Sequence, residues 1–162
     1  MWIDVKIPYE PKRRLAEAYN RAIDNSSAEW VLLLDHDVFL ACNPHWYEMC
    51  LEMIQKVEPD VALITCMEGN TESTVDRHIE HAKTFYELNG FETCELKHAE
   101  ELAGYFMLVR RSVCQDIRFH SVGKGIHKID HDFARRLLEA GYRILYMKGL
   151  YVYHHRNVTW AN

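Results

Sequence analysis

Residues 30–37 read WVLLLDHD, an apolar run that ends in two carboxylates, Asp35 and Asp37, one residue apart. Alternate side chains of an extended segment point to one side, so the two acids share a side. Two carboxylate oxygens at a strand end suit a hard divalent cation such as Mg²⁺ or Mn²⁺. Such a cation can hold a diphosphate and neutralise the charge that develops as it leaves. The plainer alternative is a polar turn in which one Asp caps the next element. A D-x-D triplet is short and common, so the tripeptide alone leaves both readings open.

A second acidic group, Asp130 and Asp132, flanks His131 ahead of Phe133. One carboxylate can cap the following helix and the other can sit in its first turn, where the helix dipole favours negative charge. The functional alternative makes one of them a general base that takes a hydroxyl proton during attack. Asp130, expected just outside the helix, is the candidate base, and Asp132 is the loop support. His154 and His155 follow the last apolar strand. Neutral imidazole can be a third ligand to Mn²⁺ beside carboxylates. Neighbours on an extended chain point to opposite sides, so one of the pair is expected at the metal. His127 and His131 lie four apart and can face together if a helix begins early. His36, His45, His78, His81, His98 and His120 read as surface or packing residues.

The elements that must carry these groups follow from periodicity and punctuation. Residues 2–7 read as an extended strand, broken by Pro8 and Pro11. Leu15, Ala18, Tyr19, Ala22 and Ile23 recur at helical spacing within residues 12–24. The apolar run 30–34 suits a strand covered on both faces. Asn43-Pro44 reads as a helix start, and Trp46, Met49, Cys50, Met53, Ile54 and Val57 form its stripe. Residues 61–66 read as a buried strand and 71–88 as a helix closed at Asn89-Gly90. Residues 105–109 read as a strand, 133–140 as a helix closed by Gly141, and 143–147 and 150–153 as two final strands. Strands alternating with helices predict an α/β sandwich, in which sites lie beyond the carboxyl ends of strands.

Composition narrows the class. The chain has 162 residues, 48% hydrophobic and 27% charged, with a formal charge of −5. That is an ordinary globular balance, long enough for one cored domain, and it excludes collagen-like, disordered and disulfide-miniprotein classes. No basic run is present, so non-specific nucleic-acid binding is not expected. The cysteines, Cys42, Cys50, Cys66, Cys94 and Cys114, are odd in number and include no CxxC pair. They match neither a zinc ribbon nor a disulfide framework and read as free thiols of a cytoplasmic protein. No segment approaches the roughly 20 apolar residues of a membrane span, so any membrane association is expected to be peripheral. An exposed sheet edge can be covered by self-pairing, so a homo-oligomer is compatible with this reading.

Three ordered segments resemble family 2 of the nucleotide-sugar glycosyltransferases, whose fold is termed GT-A. LAEAYNRAI over residues 15–23, with AEWVLLLDHD over 28–37, is similar to the stretch that ends in that family's D-x-D motif. GYFMLVRRSV over 104–113 resembles the acceptor-side strand and turn. DHDFARRLLEAGYRI over 130–144, with VYHH over 152–155, is similar to the family's "ED" element and closing histidine. Ile129 stands where the family has the glutamate of "ED". The family's "DDgS" element is absent, and Ile7-Pro8-Tyr9 only faintly echoes its opening strand.

The resemblance implies one domain over residues 1–162, a Rossmann-like α/β/α sandwich of GT-A type that is minimal at its N-terminal side. It implies that Asp35 contacts the donor and metal, and that Asp37 is the more direct metal ligand. Asn20 and Arg21 match a donor-side segment near the phosphates, and Asp130 matches the catalytic base of inverting members. One of His154 and His155 completes the metal site. Arg110 and Arg111 match a turn that supports the fold. The expected activity is transfer of a sugar from a nucleotide-diphosphate sugar, a UDP-sugar first, to an acceptor hydroxyl, with Mn²⁺ or Mg²⁺ as cofactor. Two other readings stand beside it. A non-catalytic nucleotide- or sugar-binding remnant would bind ligand without turnover. A metal-dependent phosphoesterase would cleave simple phosphoesters without sugar transfer.

Overall fold

The computed structural model describes residues 2–12, 14–69, 74–122 and 128–155. The strands are β1 (Ile3–Lys6), β2 (Trp30–Leu34), β3 (Val38–Phe39), β4 (Val61–Gly69), β5 (Thr93–Glu95), β6 (Phe106–Arg110) and β7 (Arg143–His154). The helices are α1 (Leu15–Asp24), α2 (Trp46–Lys56), α3 (Val75–Asn89), α4 (Arg111–Asp116) and α5 (Ile129–Glu139). Short 3-10 turns occupy Leu40–Cys42 and Ala99–Glu101.

One seven-stranded sheet runs in the order β1-β2-β6-β4-β7-β3, with β5 paired to the first half of β7. β1 is parallel to β2, and β4 is parallel to β7, while β6 runs antiparallel between β2 and β4. The carboxyl ends of β1, β2, β4 and β7 therefore share one edge, and β6 begins there. All five residues of β2 are buried because both faces are covered. Val31 and Leu33 pack with residues of α1, α4 and α5 on one face. Trp30, Leu32 and Leu34 pack with Met49, Cys50, Met53 and Ile54 of α2 on the other. Ala82 and Phe85 of α3 lie against Tyr151 near the end of β7.

The α/β/α sandwich expected from the sequence is present, and several local expectations need correction. The helix expected over 133–140 begins four residues earlier, at Ile129. Ile129 is buried on the same face as Phe133 and Leu137, and Asp132 N–H donates to Lys128 O, which closes the extra turn. Asp130 therefore stands inside the first turn rather than ahead of the helix. Lys128 adopts φ 63°, the left-handed region, and so turns the chain into α5.

α1 starts at Leu15 rather than at residue 12, and α2 at Trp46 rather than at Pro44. Asn43 makes a turn instead of a cap: its Oδ1 accepts from His45 N–H, and its carbonyl accepts from Trp46 N–H. The two final strands are one, β7, because β4 pairs along both halves. Cys66 and Met67 are consecutive on β4 yet pair with Met147 and Tyr151, so residues 148–150 bulge out of register. Gly149 sits in that bulge against the Gly90 carbonyl, 2.0 Å from where a Cβ would stand. The expectation for His127 and for residues 71–73 lies outside the described residues.

Candidate active site

β2 delivers Asp35 to the carboxyl edge, and the turn after it brings Asp37 back beside β7. Asp35 N–H donates to Tyr105 O at the start of β6, and His155 N–H donates to Asp37 O. These backbone bonds tie three strand ends into one rim. His154 Nε2 lies 3.2 Å from Asp37 Oδ1 and 3.9 Å from Asp35 Oδ2. One ligand atom from each of Asp35, Asp37 and His154 falls within 4.8 Å of the others. The pair of histidines is resolved by the alternation expected of an extended chain. His154 turns to the acids, whereas the His155 ring pairs with Tyr153 Oη at 2.5 Å. His155 lies outside the group of Asp35, Asp37 and His154, although its backbone N–H donates to Asp37 O.

Behind His154, Glu68 at the end of β4 accepts a hydrogen bond from Nδ1 at 2.7 Å. The Tyr105 ring lies 5.4 Å from the His154 ring, and the Tyr105 hydroxyl donates to Cys66 O. Burial opposes charge on His154, but the Glu68 hydrogen bond and the charges of Asp37, Glu68 and Asp35 outweigh it and raise its pKa. Asp35 is raised as well, up to about 6, which for a carboxylate disfavours the charged form. Burial is the main cause, and the negative charges of Asp37 and Asp130 add to it against His154 and His36. The site gathers more negative charge than its own cationic groups balance, which is the electrostatic setting of a cation site.

Beside this cluster a cleft of about 240 Å³ is lined by Leu15, Tyr19, Asp35, Gly104, Lys128, Ile129 and Asp130. Asp130 enters from the first turn of α5. Its Oδ2 accepts from Gly104 N–H at 2.9 Å, and its Oδ1 accepts from His131 N–H at 2.9 Å. Each carboxylate oxygen keeps acceptor capacity for a further proton donor. Gly104 makes room for this approach, because a Cβ there would stand 3.2 Å from both Cβ and Oδ2 of Asp130. Burial, with the charges of Asp35 and Asp130, raises the Tyr19 pKa and keeps its hydroxyl protonated.

Other expected site residues are placed elsewhere. The Asn20 side chain is spent on the Phe119 backbone, donating to its carbonyl at 2.9 Å and accepting from its N–H at 3.0 Å. Arg21 is exposed and donates to Glu10 at 3.2 Å. Neither lines this cleft, and the contacts they make are to Phe119 and Glu10. Asp132 accepts from Arg135 and Arg136, and Arg136 also donates to Arg118 O, so Asp132 braces α5 and its approach. Arg110 donates to Val61 O and Glu58 O, and Arg111 to Ala28 O, which are fold-supporting roles.

Sequence reading missed Glu68, Tyr19 and Gly104. Glu68 carries the one usable signal, an acid at the end of a buried strand. Tyr19 is hidden in the apolar stripe of α1, and Gly104 opens the GYFMLVRRSV segment without any signal that it would meet Asp130.

A mixed α/β sheet, with acids and an imidazole where the carboxyl ends of β2 and β7 share one edge, has the Rossmann-like layout in which ligands bind at the strand ends. The family model for glycosyl transferase family 2 matches residues 2–118 of the 162. The chain belongs to that family and has its GT-A-like fold. Asp35 and Asp37 lie within the match, while Asp130 and His154 lie beyond it and reach the same edge through α5 and β7. No curated protein matched the chain. Among the described residues, no helix is long and apolar enough to cross a membrane.

Proposed function

We propose that this glycosyltransferase moves a sugar from a nucleoside-diphosphate sugar, with a UDP-sugar as the expected donor, to an acceptor hydroxyl with inversion. The observation that carries the reading is the meeting of three ligand atoms and a separate carboxylate, Asp130, at one sheet edge. Two carboxylate oxygens and an imidazole nitrogen fit a hard divalent cation, with the nitrogen favouring Mn²⁺ over Mg²⁺. Asp35, Asp37 and His154 would hold it. Bound there, the cation supplies charge neutralisation to the diphosphate.

The chain's own residues do the rest. Asp130 lies across the cleft from Asp35 and is held by Gly104 and His131 with lone pairs to spare. It takes the acceptor's hydroxyl proton as the acceptor oxygen bonds to the anomeric carbon. The bond from that carbon to the diphosphate oxygen breaks, and its electron pair leaves on the diphosphate. A single displacement from the opposite side inverts the anomeric centre. Tyr19, kept protonated, lines the cleft as a neutral group. The five free cysteines, four of them buried, fit a reducing compartment such as the cytoplasm.

The test is turnover of a panel of nucleotide sugars with and without Mn²⁺, scoring transfer and hydrolysis. Asp130→Ala is expected to lower kcat by about 10² to 10⁴. Asp37→Ala is expected to abolish the Mn²⁺ dependence. Unchanged turnover in both variants refutes the assignment, and phosphoester cleavage without transfer replaces it with a hydrolase.

A further inference from the structure

Glu68 is an acid that the transfer reaction as proposed does not use. It ends β4, where its partner across the parallel pair is Val152, and His154 follows two residues on along β7. Side chains two apart on a strand share a face, so this diagonal brings the carboxylate to the imidazole. The contact is 2.7 Å, from His154 Nδ1 to Glu68 Oε2, with the Glu68 side chain only 17% exposed. An ionised carboxylate only accepts, so Nδ1 is the donor and carries a proton. The other ring nitrogen, Nε2, is the one that faces Asp37 and Asp35. Glu68 stands on the far side of the ring and cannot share an ion with Nε2.

We infer that Glu68 is a positioning residue for the cation site: it fixes the His154 tautomer and ring orientation so that the Nε2 lone pair joins the Asp35 and Asp37 oxygens. This rests on the reading of those three residues as the cation ligands. A carboxylate behind a ligating histidine also makes the ring a stronger donor, and loss of such a partner commonly costs 10–100-fold in metal affinity. Three contacts act on the same ring. Glu68 holds one nitrogen, the acids face the other, and the Tyr105 ring lies alongside at 5.4 Å. The ring is therefore set from the end of β4 and from Tyr105, the residue before β6, as well as from its own strand.

The experiment is titration of the whole chain with Mn²⁺ alone, followed by calorimetry and by the spin-resonance signal of free Mn²⁺. Glu68→Leu is expected to weaken Mn²⁺ binding by about 10–100-fold. Glu68→Gln keeps an acceptor oxygen in reach and is expected to lose several-fold less. Circular dichroism of the metal-free variants checks that both fold. The ring ¹⁵N shifts of His154 give a readout that a packing role would not move. Nδ1 is expected to carry the proton in the parent chain and to lose that preference in Glu68→Leu.

Asp37→Ala separates the two levels. If Asp37→Ala abolishes Mn²⁺ binding while folded Glu68→Leu binds like the parent with an unchanged tautomer, the role of Glu68 is overturned and the ligand set survives. If Asp37→Ala binds Mn²⁺ like the parent, the ligand set itself is wrong and the inference falls with it.

Discussion

At the scale of single residues, the cleft depends on one missing side chain. Gly104 N–H holds the Asp130 carboxylate at 2.9 Å, and a methyl group at Gly104 would stand 3.2 Å from two Asp130 atoms. That is tight enough to push the carboxylate by a few tenths of an ångström without disturbing a buried core. Gly104→Ala is therefore expected to lower kcat by about 10-fold through misplacement of the base, with little change in Tm. Steady-state rates and thermal melts measured side by side check this. A parent-like rate would show that the Gly104 contact does not set the position of Asp130. The D-x-D pair and a C-terminal histidine were legible in the sequence because each sits at a strand end, where alternation and punctuation are local signals. Glu68 was not, since its partner is 86 residues away and only strand pairing brings the two together.

At the scale of elements, α5 is where sequence and structure differ most. Its first turn reads as loop because Asp130, His131 and Asp132 dilute the stripe to a single apolar residue, Ile129. Tertiary packing overrides that local polarity, since Ile129 continues the buried face of Phe133 and Leu137. The helix is then braced by Asp132, 18% exposed, between Arg135 and Arg136. Burial works to raise the Asp132 pKa, but the hydrogen bonds and charges of the two arginines prevail and lower it. A carboxyl pKa depressed by folding stabilises the fold above its unfolded value. That stability is lost as pH falls through the folded value. Asp132→Asn is expected to cost about 0.5–1 kcal/mol at pH 7, seen as a Tm lower by a few degrees. The gap should close as the melts are repeated below about pH 4, near the ordinary carboxylate value. A gap that persists at low pH would show that lost packing, not charge, is responsible.

At the scale of the whole molecule, every strand among the described residues belongs to one sheet, and helices close both of its faces. No layer can leave without exposing β2 or β6, whose residues are almost all buried. Denaturation followed by tryptophan fluorescence and by far-ultraviolet circular dichroism is therefore expected to give one coincident transition. Leu33→Ala removes a fully buried side chain from that shared core and should cost about 2–5 kcal/mol. Two separated transitions would instead divide the chain into independent units.

The amino-acid sequence by itself determined the alternation of buried strands and amphipathic helices. It also determined the two acids at the end of β2 and the histidine pair at the end of β7. These are legible because periodicity and strand ends are properties of neighbours along the chain. Only the tertiary structure decided which histidine meets the acids, that Glu68 stands behind it, and that Asn20 serves the Phe119 backbone. It also decided that Asp130 belongs to a helix and is held by Gly104. Those outcomes turn on sheet order, on a bulge that shifts β7 by three residues, and on the close approach of α5 to the start of β6. Each joins residues far apart in sequence, and no local pattern of side chains encodes that distance.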